Sequence, residues 1–293
     1  MCDEWTERDI ARAEQEKAGA LTRRQFAAAT AATAAAAMAT TTQAVAAGLP
    51  LSETQVSIHT DAGLCDGVFI HPAKGKHPAI LMWPDIAGLR PAYVAMARRL
   101  AAEGFAVLVV NHYYRSARAP IMQTMAEWRT PEGQAKLKPM IAAISPEGTV
   151  HDARAFIGFL DRQAAVDTKR GIGTCGYCMG GPYTVRTAFA VPGRVRAAAS
   201  LHGAGLVSDA PDSPHKLLAA TKASYLFAIA QNDDARSPGD KDALRKAAQE
   251  AHRPAEVEVY HADHGWCTID APSYDKAEAE RAWGHMIALF KGV

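Results

Sequence analysis

The segment Gly171-Ile-Gly-Thr-Cys-Gly-Tyr-Cys-Met-Gly-Gly181 constrains the fold more than any other, because it sets Cys178 between Gly176 and Gly180 in a G-x-C-x-G pattern. Strand-like residues precede the cysteine, and a helix-like stretch, Pro182 to Ala190, follows it. A strand that turns sharply into a helix needs small residues two before and two after its apex. Without Cβ atoms there, strand and helix pack closely while the apex takes strained dihedrals. The apex side chain then stands at the C-terminal edge of the sheet, beside a helix N-terminus that favours a thiolate. Such a turn is a nucleophile elbow with a thiol at its apex. Two other readings fit the same residues. A buried cysteine in a tight turn needs no chemistry, and Cys175-Gly-Tyr-Cys178 is also a C-x-x-C, the spacing of redox sites and zinc half-sites.

The flanking pattern bears on this choice. Gln55–His59 and Leu64–Ile70 alternate around Thr60-Asp-Ala-Gly63, which predicts an antiparallel hairpin. Ala79–Trp83 and Phe105–Val110 are continuous apolar runs, as expected of strands buried on both faces. Helical spacing runs over Pro91–Glu103, Thr149–Gln163, Asp240–Ala251 and Tyr274–Lys291. Further strands are expected at Val195–Leu201, Tyr225–Ala230 and Ala255–Tyr260. The less regular Ala117–Ser145, with Trp128 and several methionines, is expected to pack as a cap. Strands and helices thus alternate at βαβ spacing, which predicts an α/β fold with a mostly parallel central sheet and helices on both faces.

The first 47 residues read differently from the rest. Between Gln25 and Ser52 no residue is charged, and Thr22-Arg-Arg-Gln-Phe26 precedes the alanine- and threonine-rich run. A twin arginine ahead of a mildly apolar stretch, with Ala44-Val-Ala46 as an A-x-A cleavage site, predicts a twin-arginine export signal over 1–47. The expected partner is the Tat machinery and the expected location the periplasm, with a single folded domain over 48–293. The run is too weakly apolar for a stable membrane span. A net charge of +1 argues against a nucleic-acid surface. Cys65, Cys175, Cys178 and Cys267, which remain after the signal, are too few for a disulfide scaffold.

A nucleophile at an elbow needs a base and an orienting acid on the same sheet edge. In α/β hydrolases these follow in the order nucleophile, acid, histidine. After Tyr225–Ala230 comes Gln231-Asn-Asp-Asp234, and after Ala255–Tyr260 comes His261-Ala-Asp-His-Gly-Trp266. Strand C-termini share one edge in a parallel sheet, so both turns fall beside Cys178. His264 is the expected base, since His261 lies too close to its strand. Asp233 is preferred as the acid, with Asp234 as the alternative.

These motifs together resemble the dienelactone hydrolase family of α/β hydrolases, from about Val56 to the end of the chain. The resemblance is carried by Trp83-Pro-Asp-Ile-Ala-Gly88, Tyr113-Tyr-Arg115, Gly176-Tyr-Cys-Met-Gly-Gly181, Asn232-Asp233 and His264-Gly-Trp266. It implies a Cys178–His264–Asp233 triad and an oxyanion hole from the backbone N–H groups of Ile86 and Met179. It also implies a carboxylate at Asp85 near the thiol, where the family carries glutamate. Arg115 would take a substrate carboxylate, while Thr268 stands where the family has a second arginine. The implied activity is hydrolysis of a lactone or small ester with no metal or organic cofactor. The alternative is an exported, non-catalytic binder of a small carboxylate. Redox and zinc readings of the C-x-x-C lose ground, because Cys175 falls inside the strand and no second Cys/His pair has matching spacing.

Overall fold

The computed structural model describes residues 49–293, and the expected twin-arginine signal with its expected cleavage site lies outside them. Eight strands form one sheet: β1 (Leu51–Thr60), β2 (Gly63–Pro72), β3 (Ala79–Trp83), β4 (Ala106–Val110), β5 (Ile172–Tyr177), β6 (Val195–Leu201), β7 (Ser224–Ala230) and β8 (Ala255–Tyr260). Their order across the sheet is β1-β2-β4-β3-β5-β6-β7-β8. The β1–β2 hairpin pairs antiparallel through His59–Leu64 and Thr60–Gly63, and β2 joins β4 antiparallel. From β4 to β8 every pairing is parallel. The mostly parallel sheet expected from the sequence is therefore present, with its antiparallel part confined to one edge.

Two apolar layers sandwich the sheet. On one face α1 (Pro91–Ala102) and the C-terminal helix Lys276–Lys291 bury Tyr93, Met96, Leu100, Met286 and Phe290. On the other, the helices Pro146–Asp161, Gly181–Ala190 and Asp240–Glu250 bury Phe156, Leu160, Val185, Ala188 and Leu244. Every residue of β3, β4 and β5 is buried, which is why β3 and β4 read as continuous apolar runs.

The helix expected from Thr149 begins earlier, at Pro146. Ser145 caps it by accepting the Gly148 N–H at 3.0 Å, and Pro146 occupies its first turn, where a missing N–H costs nothing. The Ala117–Ser145 segment contains two helices, α2 (Met125–Trp128) and α3 (Pro131–Ala142). Leu137, Ile121 and Met122 form a small apolar cluster of their own with Tyr113 and Ala87, so the cap rests on the ends of β3 and β4.

Candidate active site

Cys178 stands at the C-terminal end of β5 with φ +53°, a left-handed conformation that a side chain disfavours. The flanking glycines explain how it is held. A Cβ on Gly176 would fall on the Gly180 carbonyl, and one on Gly180 would lie 2.5 Å from the Trp83 carbonyl oxygen. The elbow and the end of β3 are therefore packed backbone against backbone. Gly181 likewise meets Gly203, just past β6, so a side chain at either position has no room.

A pocket of about 180 Å³ opens over this apex. Cys178, His202 and His264 line it from the sheet edge, and Met125, Trp128 and Arg129 from the cap. Asp85, Ile86, Gly265, Ala271 and Ser273 complete the wall. His264 follows β8, and its Nδ1 shares a 2.6 Å hydrogen bond with Asp233 Oδ2. Two further contacts fix that loop: the His264 N–H donates to Asn232 Oδ1 at 2.9 Å, and the Ser273 hydroxyl donates to the His264 carbonyl at 2.7 Å. Asp234 points elsewhere, with both carboxylate oxygens 2.8 Å from Lys241 Nζ. Asp233 and Asp234 lie in the first turn of a short helix, Gln231–Arg236, where the sequence suggested a simple turn.

Burial works against a charged imidazole at His264. The hydrogen bonds that the ring gives to Asp233 and Cys178 more than offset it, and the pKa is raised to about 10. The ring is therefore held as imidazolium at neutral pH, with Nδ1 committed to Asp233 and Nε2 left for the pocket.

Ile86 lies in the loop after β3, and Met179 follows the apex. One side chain ties them together: the Tyr113 hydroxyl donates to the Ile86 carbonyl at 2.8 Å and lies 3.2 Å from Met179 Sδ. Met179 is the second residue of a short 3₁₀ turn, Cys178–Gly180, so its N–H has no acceptor within that turn.

Two expectations on the substrate side are corrected. Asp85 lines the pocket but its carboxylate serves Arg90, at 2.6 and 3.0 Å, and accepts the Ala87 N–H at 2.9 Å. A carboxylate so occupied belongs to a buried ion pair, and no hydrogen bond joins it to the thiol among the described residues. It caps a turn, since the nearest helix begins at Pro91. Arg115 is absent from the pocket wall. Its guanidinium takes Asp152 bidentately at 2.6 and 2.9 Å, and the ring of Tyr114 lies under it. Asp152, buried on the helix Pro146–Asp161, captures the fork that the resemblance assigned to substrate.

Two ionisable pocket residues were not read from the sequence. Arg129, at the C-terminal end of α2, is the only arginine or lysine among the described residues that line the pocket. His202 directly follows β6, and His264 lies in the turn after β8; each is followed by glycine. A histidine before glycine past the C-terminal end of a parallel strand was the available signal. Cys175 is fully buried inside β5 and Cys178 is its free neighbour at the apex, so the C-x-x-C forms no disulfide.

The family model for the dienelactone hydrolase family matches residues 65–293. A carboxymethylenebutenolidase of a Pseudomonas species is 22% identical over 220 residues, 75% of this chain and 87% of that protein. A dienelactone hydrolase-like promiscuous phosphotriesterase from metagenomic libraries superposes with a TM-score of 0.67 at 21% identity, covering 83% of this chain and 98% of that one. The dienelactone hydrolase of Anabaena variabilis gives 0.57 at 15% identity, with 83% and 98% covered. At these identities the two structures speak for the fold alone.

Proposed function

The chain belongs to the dienelactone hydrolase family and is a hydrolase of its ester- or lactone-cleaving type, and from that premise we propose that it acts through Cys178, His264 and Asp233 on a small ester or lactone. The observation that carries this reading is the placement of His264, bonded to Asp233 at 2.6 Å and lining one pocket with the strained apex cysteine.

The chemistry follows from those positions. With His264 as imidazolium, Cys178 acts as thiolate and its Sγ attacks the substrate carbonyl carbon. The carbonyl π electrons move to oxygen, which the N–H groups of Ile86 and Met179 stabilise. The tetrahedral species collapses, the C–O bond to the leaving group breaks, and His264 Nε2–H protonates the departing alkoxide. The neutral imidazole then takes a proton from water as that water attacks the thioester. Collapse of the second tetrahedral species releases the acid and regenerates the thiolate–imidazolium pair. Asp233 keeps the proton-bearing Nδ1 fixed throughout.

The pocket also suggests a substrate class. Asp85 is paired with Arg90, while Arg129 faces the pocket with no carboxylate in ion-pair distance among the described residues. An ester or lactone bearing an acidic group can use that guanidinium, with Trp128 and Met125 covering its apolar part.

The test is a chromogenic-ester assay on purified protein. Cys178→Ala and His264→Ala should each lower kcat/KM by about 10⁴-fold or more. Full activity in Cys178→Ala, or activity that survives complete alkylation of Cys178, would refute the thiol mechanism.

A further inference from the structure

His202 sits at the tip of β6 with φ +41°, in the left-handed region and without a glycine's freedom. Such a conformation is strained and persists only where its surroundings over-determine it. Here they do. Its own N–H donates to the Ala228 carbonyl at 2.8 Å, which pins the residue to β7. Its ring is almost wholly buried, 4.9 Å from the His264 ring and 5.2 Å from Trp266 between centroids.

The same short loop grips Cys178 from two sides. The Cys178 N–H donates to His202 Nδ1 at 3.1 Å, and the Ala204 N–H donates to the Cys178 carbonyl at 3.2 Å. Between them, a Cβ on Gly203 would fall on the Ser200 hydroxyl, and one on Gly181 would fall on the Gly203 Cα. An apex at φ +53° would relax if released, and these are the bonds that restrain its two flanking peptides.

From this geometry we infer that His202 is a positioning residue: as the neutral Nε2–H tautomer it holds the Cys178 backbone in its strained conformation, and through it the thiol and the Met179 N–H. The inference rests on the reading of Cys178 as nucleophile. Accepting a hydrogen bond requires Nδ1 to be unprotonated, so the ring's one proton lies on Nε2. Burial, and then the charge of neighbouring His264, push the His202 pKa well below its ordinary value, which keeps that tautomer in place. Besides Cys178, the rings of His264, Trp266 and Tyr177 face it. Of these rings, only His264 carries charge at neutral pH, so the site holds one imidazolium and one neutral imidazole side by side.

The experiment compares His202→Asn, whose Oδ1 occupies nearly the place of Nδ1, with His202→Phe, which keeps the ring and loses the acceptor. Two readouts are taken on each: amide hydrogen exchange at Cys178, and steady-state kinetics on a neutral chromogenic ester. The expected result is that Cys178 amide protection survives in His202→Asn and is lost in His202→Phe. With it, kcat should fall about ten- to a hundredfold in His202→Phe at nearly unchanged KM, and recover to within about threefold of wild type in His202→Asn. Equal protection of the amide in both variants would overturn the hydrogen bond. Lost protection with unchanged kcat in His202→Phe would overturn its role. An equal kcat loss in Asn and Phe would do the same, since the restored acceptor would then count for nothing. If wild type turns over no ester at all, the exchange result still judges the bond, while the hydrolase mechanism alone has failed.

Discussion

The thiol side of the pocket is built from backbone, and the rest of its surround is braced by ion pairs of long charged side chains. At the elbow, Cys178 is fixed by two glycines that leave no room for a Cβ and by hydrogen bonds to its own N–H and C=O. Behind the pocket-lining Asp85, Arg90 lies fully buried between Asp85 and Asp270, and Asp270 Oδ2 also accepts the Met125 N–H of the cap at 3.2 Å. Arg115 is drawn off to Asp152. Backbone geometry follows from topology, so a parallel sheet with an elbow has few places to put its apex. A guanidinium on a flexible stem goes to whichever carboxylate the fold brings within reach. Arg90 and Asp270 are separated by 180 positions in the chain.

The largest effect should come from breaking the backbone side. A methyl group at Gly180 would meet the carbonyl oxygens of Trp83 and Pro84 at 2.5 and 2.6 Å, and no side-chain rotation relieves backbone. Gly180→Ala should cost about 1–3 kcal/mol in urea unfolding. It should also cost more than about a hundredfold in kcat, because the apex is displaced from the oxyanion donors. Gly193→Ala, where a Cβ meets nothing within 4 Å, is the matched control and should change neither. Wild-type activity in Gly180→Ala would show that the elbow tolerates backbone shifts.

The same contrast explains what was legible in the sequence. The strands and the elbow could be read because each depends on local pattern: continuous apolar runs buried on both faces, and a small-x-Cys-x-small spacing. The order cysteine, aspartate, histidine could be placed on one edge because parallel strands end on one edge. The start of the helix at Pro146 was also legible in principle, since Ser145-Pro-Glu147 is a cap, a first-turn proline and a first-turn acid in sequence. The partners of Asp85 and Arg115 were not. Arg90 stands only five residues after Asp85, but it is held there by Asp270, 180 positions on, and the Arg115 partner Asp152 comes from another element 37 positions away, so local spacing marks neither arrangement. Arg129 was hidden for a related reason. Its short helix is held by the apolar cluster of the cap and by Asp270, and carries little periodicity of its own.

The charged side can be probed by comparing Arg129, which lines the pocket, with Arg115, which does not. If Arg129 supplies the cation, Arg129→Ala should lower kcat/KM for acidic esters about ten- to a hundredfold, the span of a charge-assisted bond of about 1.5–3 kcal/mol, and leave neutral esters nearly unchanged. Arg115→Ala should instead reduce activity on acidic and neutral substrates by the same small factor, through the loss of its partly exposed pair with Asp152. A selective loss on acidic substrates in Arg115→Ala but not in Arg129→Ala would reverse the assignment.

The smallest effect separates the two regions by pH. The surround is braced by arginine–carboxylate pairs, whose charges persist from neutral to alkaline pH. On the thiol side His264 titrates in that range, its pKa raised to about 10 by Asp233 and Cys178 against the effect of burial. An unfolded histidine titrates near 6.5. A group whose folded pKa lies above its unfolded value binds protons more tightly when folded. Its contribution to stability is therefore complete below about pH 6.5 and is lost as the pH climbs through about 10. Lysine and tyrosine titrations overlap the upper end of that window, so the comparison must be made between wild type and His264→Gln. The difference in Tm between them should be greatest near pH 6 and shrink steadily toward pH 10, at about 2–4 °C for each kcal/mol of linkage in a domain of this size. Adding Cys178→Ala removes one of the two groups that raise the pKa, so the decline should then fall at lower pH. A Tm difference that stays flat from pH 6 to 10 would mean that His264 is not held as imidazolium, and that the thiolate in the proposed mechanism must be generated only after substrate binds.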